Sequence, residues 1–77
     1  MKPIGNKIIP QSADSYIHIK TGTRYIVIGI GMVKLPKVGW TKSVLYTRED
    51  GTSDVTYTRT LDDFQSHFAD ADGIIDV

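Results

Sequence analysis

From Tyr16 to Met32 the side chains alternate in character one by one, interrupted only by Thr21-Gly22-Thr23. A period of two is the mark of half-buried β-strands and excludes an amphipathic helix over this stretch. In Tyr16-Ile17-His18-Ile19-Lys20, Ile17 and Ile19 face one way, and Tyr16, His18 and Lys20 the other. In Arg24 to Met32, Ile26, Ile28 and Ile30 share one face, and Tyr25, Val27, Gly29 and Gly31 the opposite one. A glycine able to take positive φ lies between the two runs, which predicts a hairpin. Glycines inside a β-branched run weaken a strand, so Gly29 and Gly31 predict a bulge or bend where it curls from one side of a barrel to the other.

The remaining elements follow from local chemistry. Val33 to Trp40 reads as a connecting loop, because it carries Leu35-Pro36 and Val38-Gly39 and a proline cannot donate to a ladder. Thr41–Thr47 reads as a third strand, Arg48-Glu49-Asp50-Gly51 as a turn, and Ser53–Thr58 as a fourth strand, giving a second hairpin. Thr60, with Asp63 three positions on, has the form of a capping box, and Leu61, Phe64 and Phe68 at i, i+3 and i+7 predict a short helix over 60–68 with all three buried. Ala69-Asp70-Ala71-Asp72-Gly73 breaks that helix, and Ile74-Ile75 is expected to add a last short strand. Residues 1–15 contain Pro3, Gly5, Pro10 and Gln-Ser-Ala-Asp-Ser, loop chemistry that predicts a leading arm, which leaves 16–77 as one domain. A chain of 77 residues has room for a single core. Strand, strand, loop, strand, tight turn, strand, helical turn, short strand is the element order of SH3-like small barrels. The expected fold is therefore mainly β: a partly open SH3-like barrel of about five strands with one short helix near the C-terminus.

Several chemistries are excluded by residue type. There is no cysteine, so no disulfide framework, thiolate metal site or cysteine nucleophile exists. His18 and His67 are the only histidines, and no carboxylate stands at a recognisable ligand spacing from either, so no metal site is expected. Gly29-Ile30-Gly31 has Lys34 where a dinucleotide fingerprint needs its third glycine, and no helix follows to face a pyrophosphate. No nucleophile-and-base spacing accompanies the serines. The chain is thus expected to be no enzyme and to use no cofactor. Its longest apolar run, Ile26 to Val33, is too short to span a bilayer, and the amino terminus lacks the apolar stretch of a signal peptide, so a cytoplasmic location without membrane contact is expected.

Charge is the remaining clue. Residues 1–48 hold eight basic groups against the single acid Asp14, and residues 49–77 hold eight acids against Arg59, although the whole chain is formally neutral. On the strands, Tyr16, His18 and Lys20 share a face, as do Lys42 and Tyr46, and Tyr57 and Arg59. Tyrosine area with the planar fork of Arg59 suits a shallow recognition surface. The alternative is that the tyrosines are half-buried wall residues and Arg59 is a tie to a carboxylate in the helix. Trp40 has two readings also. The only tryptophan of so small a domain is expected to plug the core, whereas an exposed one is an interface anchor. Lys34, Lys37 and Lys42 flank it, which makes this loop the best place to meet an acidic protein surface or a nucleic-acid backbone.

Residues 16–68 resemble a family of small uncharacterised bacterial and phage domains with the consensus Tyr-x-His-Tyr-Lys-Gly, Tyr-x-Val-x-Gly, Val-x-Tyr and Trp-x-Arg-Pro-x-x-x-Phe. The matching segments are Tyr16-Ile17-His18-Ile19-Lys20-Thr21-Gly22, Tyr25-Ile26-Val27-Ile28-Gly29, Val44-Leu45-Tyr46 and Tyr57-Thr58-Arg59-Thr60-Leu61-Asp62-Asp63-Phe64. One residue is inserted before the first glycine, Tyr57 replaces the tryptophan and Thr60 the proline. The resemblance implies the fold and a phage or bacterial accessory role, in the host cytoplasm if phage-encoded, and it brings no chemistry with it.

The expected function is a small non-enzymatic module that binds a protein partner through Trp40, Tyr46, Tyr57, Arg59, His18, Lys20 and Lys42. The alternatives are a nucleotide or nucleic-acid phosphate binder using Lys20, Lys42, Tyr46, Tyr57 and Arg59, for which support is weak, and a homo-oligomer formed by pairing of an uncovered edge strand.

Overall fold

In the computed structural model, which describes residues 1–71, the longest element pair is the antiparallel ribbon of β2 (Arg24–Leu35) and β3 (Gly39–Arg48). Its ladder runs from Tyr25↔Arg48 to Leu35↔Gly39, so most of the segment read as a loop is strand. The connection is only Pro36-Lys37-Val38, with Lys37 at φ 68° and Gly39 at φ 85°. Proline was correctly placed outside the ladder, but a tight turn contains it.

The bulge expected from the glycines is present. Val27 pairs with Tyr46 and Gly29 with Leu45, so Ile28 is the extra residue. A one-residue slip exchanges the faces beyond it. Tyr25 and Val27 therefore share a face with Ile30, Met32 and Lys34, not with Gly29 and Gly31 as unbroken alternation predicts. At Gly31 a Cβ would lie 2.9 Å from Leu45 Cδ1, so a larger residue there would have to displace the end of that side chain.

β1 (Ser15–His18) joins the other side of β2 through Ser15↔Ile26 to Ile17↔Arg24, with Gly22 at φ 74° in the predicted turn. β4 (Tyr57–Thr60) pairs with β3, from Tyr46↔Tyr57 to Ser43↔Thr60. It begins later than predicted because side chains hold 49–56 in local turns: Thr52 N–H donates to Asp50 Oδ1, Val55 N–H to Ser53 Oγ and Thr47 Oγ1 to the Val55 carbonyl. β5 (Phe68–Asp70) pairs with β1. The result is one open antiparallel sheet in the order β4-β3-β2-β1-β5, plus the short helix α1 (Leu61–His67). The expected Ile74-Ile75 strand lies outside the described residues.

Thr60 caps α1 as predicted, its hydroxyl accepting from Asp63 N–H. The Asp63 carboxylate does not complete a capping box, because Arg59 and His67 hold it instead. α1 sets Phe64 into the core with Ile4, Tyr16, Val27, Val44 and Tyr46; Phe68, expected on the helix, is extended and joins the core as the first residue of β5, and Leu61 is only partly buried at the margin. Phe64 and Phe68 stack with centroids 4.0 Å apart, and Tyr16 and Tyr46 meet Phe64 edge-on at 5.5 and 5.4 Å. The leading segment is docked on this core: Ile4 is buried, its N–H donates to the Phe68 carbonyl, and Gln65 Nε2 donates to the Ile8 carbonyl.

The core is thus aromatic, and the isoleucines of β2 lie largely outside it: Ile28 is 46% and Ile30 40% exposed.

Candidate functional site

The seven sequence-selected residues do not form one surface. On β3, Trp40, Lys42, Val44 and Tyr46 alternate on the same face, but six residues of strand separate Tyr46 from Trp40, about 20 Å. Two groups result, one at each end of that face, with Lys20 exposed on the turn after β1.

The first group surrounds Arg59 on β4. Its Nε donates to the Tyr46 hydroxyl at 2.9 Å, and one terminal nitrogen, Nη1, to Asp63 Oδ2 at 2.7 Å. The other, Nη2, faces His18 Nε2 at 3.5 Å, and the guanidinium lies 5.4 Å from the Phe68 ring centroid. Tyr46 is buried, and Tyr57 stacks on it at 5.7 Å while keeping an exposed edge. The tie between Arg59 and a helix carboxylate is therefore present. The i,i+4 spacing of Arg59, Asp63 and His67 is its signal in the sequence. Asp63 and His67 were the members overlooked: His67 Nδ1 lies 2.8 Å from the Asp63 carbonyl, to which it donates, and 3.2 Å from Asp63 Oδ1.

Electrostatics within this group are directional. Burial alone would depress the Arg59 guanidinium, but the hydrogen bonds with Tyr46 and Asp63 outweigh it and raise its pKa. Burial raises the Tyr46 hydroxyl. His18 is lowered, first by desolvation and then by the neighbouring Arg59, His67 and Lys20, which Asp63 only partly offsets. A neutral His18 donates from Nδ1 to Thr21 Oγ1 and accepts from Arg59 through Nε2.

A depressed histidine pKa means that the unfolded chain binds the proton more readily, so stability is full above about 6.5 and falls as pH drops below it. Urea unfolding between pH 7 and 5 should show a steeper loss for the wild type than for His18→Gln. Equal slopes would remove His18 from the linkage.

The second group lies at the far end of the β2–β3 ribbon. Cross-strand pairs there are Met32↔Lys42 and Lys34↔Trp40. Side chains of directly paired residues share a face, so Met32 and Trp40 form one diagonal and Lys34 and Lys42 the other. Trp40 is 66% and Met32 57% exposed, so the tryptophan is not the core plug that its uniqueness suggests. Its position follows from the ladder: continuous pairing carries residues 32–42 past the sheet's contact with α1 and β1. Lys34, Lys37 and Lys42 take part in none of the ion pairs among the described residues. Met32 and Ile30 were overlooked as members of this surface because Val33 to Trp40, read as a loop, left Trp40 with no strand to pair with β2.

Elsewhere, a shallow cleft of about 330 Å³ is lined by Gly22, Thr23, Arg24, Arg48, Glu49 and Asp50. Arg24–Glu49 and Arg48–Asp50 ion pairs match its charges internally. Among the described residues no three metal-ligating side chains converge, and no helix is long and apolar enough to cross a membrane. No family model, curated protein or solved structure matches the chain.

Proposed function

We propose that the chain is a small non-enzymatic binding module of SH3-like architecture that engages an acidic protein partner through the far end of its β2–β3 ribbon. The observation that carries this reading is the exposed Trp40 set beside Lys34 and Lys42 on a ribbon whose two strands contain no acid. Tryptophan is the strongest anchor type at protein interfaces, and unpaired lysines steer an acidic surface toward it. The SH3-like description is supported by the element order and by the sheet order β4-β3-β2-β1-β5. A phage or bacterial accessory role rests on the family resemblance, and a cytoplasmic setting on the absence of an apolar leading stretch in this sequence.

A phosphate-binding role has less support. Of its residues, Tyr46 is buried and Arg59 is engaged by Asp63, which leaves the partly exposed Tyr57 with Lys20 and Lys42, and the two lysines lie on separate parts of the molecule.

Affinity capture from bacterial lysate with the wild type and Trp40→Ala in parallel tests the proposal. The partner should be lost from the variant, and its measured affinity should fall about thirtyfold, while Lys37→Ala costs well under about 1 kcal/mol. A partner held equally by both chains would refute the ribbon as the binding surface. Nucleic-acid binding whose affinity falls steeply with salt would favour the phosphate reading.

A further inference from the structure

β1 accompanies β2 only as far as Ile26, and two further hydrogen bonds, Val27 N–H to the Asp14 carbonyl and Ala13 N–H to the Val27 carbonyl, end that seam. Beyond Val27, β2 is paired on one side only, with β3, among the described residues. The main-chain directions follow from the pairing. Val27 turns its N–H and C=O toward β1, and side chains on one face of a regular strand carry main-chain groups pointing to one side. After the slip at Ile28, the residues sharing the face of Val27 are Ile30, Met32 and Lys34. Their N–H and C=O groups therefore point away from β3, and Gly29, Gly31 and Val33 bond to it.

An open edge of this length invites another strand. Its side chains select what kind. On the face that continues from the core, the edge presents Ile30, Met32 and Lys34 in alternate positions, with Trp40 and Lys42 behind them on β3. A second copy of the chain fits poorly. Two-fold pairing of this edge would set two lysine-bearing ribbons in one interface, and no acid occurs between Ser15 and Arg48 to match them across it.

We propose that the partner docks as an extended acidic segment that adds a strand to the β2 edge at Ile30–Lys34. The added strand, antiparallel like every other in the sheet, carries an Asp or Glu opposite Lys34 and apolar residues opposite Met32 and Ile30, in the N-to-C pattern acid-x-apolar-x-apolar. Main-chain hydrogen bonds to Ile30, Met32 and Lys34 hold it, and the alternate side chains supply specificity. This inference rests on the ribbon as binding surface and adds the manner of binding to it.

The decisive variant is Met32→Pro. Proline at this position removes an N–H that faces outward, so the β2–β3 ladder is kept while the edge is blocked. A random peptide display library panned against the 77-residue chain should enrich sequences with the acid-x-apolar-x-apolar alternation. By fluorescence polarisation, the enriched peptide should bind Met32→Pro at least tenfold more weakly than Met32→Ala, with circular dichroism confirming that both variants are folded. If Met32→Pro unfolds, protection of the Ile30, Met32 and Lys34 amides against hydrogen exchange when the peptide binds the wild type gives the same reading, and unchanged protection refutes strand addition. Failure to enrich any peptide, or enrichment without the alternation, also refutes it. Loss of peptide binding in Trp40→Ala but not in Met32→Pro overturns strand addition and leaves the ribbon face standing. Tighter binding of a twenty-nucleotide dT oligomer than of the peptide, or a sedimenting dimer that Met32→Pro dissociates, overturns the acidic-segment proposal in favour of nucleic acid or a second copy.

Discussion

Replacing Phe64 with alanine should lower the unfolding free energy by about 3–5 kcal/mol, the range for deleting a fully buried aromatic ring. Phe64 is 0% exposed, stacks on Phe68 and receives the edges of Tyr16 and Tyr46, so the cavity would open where α1, β1 and β3 meet. A chain of 77 residues holds on the order of 4–11 kcal/mol in total, and the variant should be close to unfolding at room temperature. Urea titration followed by far-ultraviolet circular dichroism is the measurement to use. Fluorescence is a poor reporter, because Trp40 is already largely solvated in the folded state. Ile28→Ala supplies the contrast: at 46% exposure its cost should stay within about 0.5 kcal/mol. A Phe64→Ala cost below about 1 kcal/mol would place the helix off the core.

That pair of substitutions also marks the boundary of what the sequence discloses. Element types were legible wherever one signal dominated: the alternation of β1 and β2, the positive-φ glycine at 22, and the Thr60 cap with its apolar spacing. Even the bulge was announced by Gly29 and Gly31. Its consequence was hidden, because pairing register is a property of two strands and a slip at Ile28 leaves no trace in β2 alone. Reading the alternation straight through 28 keeps Ile26, Ile28 and Ile30 together and separates Val27 from Ile30, which the structure joins. Reading 33–40 as a loop is why the second surface was seen only in part. Trp40 and the lysines were visible as residue types, whereas Met32 and the open edge exist only through the register. Pro36 misled in another way: a turn that excludes proline from the ladder and a long loop look alike until the flanking strands are paired.

The charge division gains a structural reading from the ribbon. Acids of the second half pair with the arginines, Glu49 with Arg24 and Asp50 with Arg48 on the surface and Asp63 with the half-buried Arg59. Lys34, Lys37 and Lys42, which are in none of these pairs, stand together where the ribbon extends past the sheet. Neutrality of the whole therefore coexists with a cationic end, and it is the pairing of the other charges that exposes this one.

Arg59→Ala tests whether that division between tie and surface is sound. Removing the guanidinium leaves the buried Tyr46 hydroxyl without its 2.9 Å donor, and a buried polar atom stripped of its partner costs about 1–3 kcal/mol. It also frees Asp63, whose carboxylate is 43% exposed, so the ion pair itself is screened and adds well under about 1 kcal/mol. The cation over Phe68 is lost as well. Together these predict a loss of about 2 kcal/mol, or a fall in Tm of about 8–16 °C for a domain of this size. Arg59→Met, which keeps the packing but no donor, should recover a small part, and Asp63→Ala alone should cost well under half as much as Arg59→Ala. Binding at the ribbon end should survive in whatever fraction remains folded, since Arg59 and Trp40 lie toward opposite ends of the sheet face. Unchanged thermal unfolding in Arg59→Ala together with a thirtyfold loss of partner affinity would reverse the assignment and make Arg59 an anchor, because a tie cannot be removed without loosening what it holds.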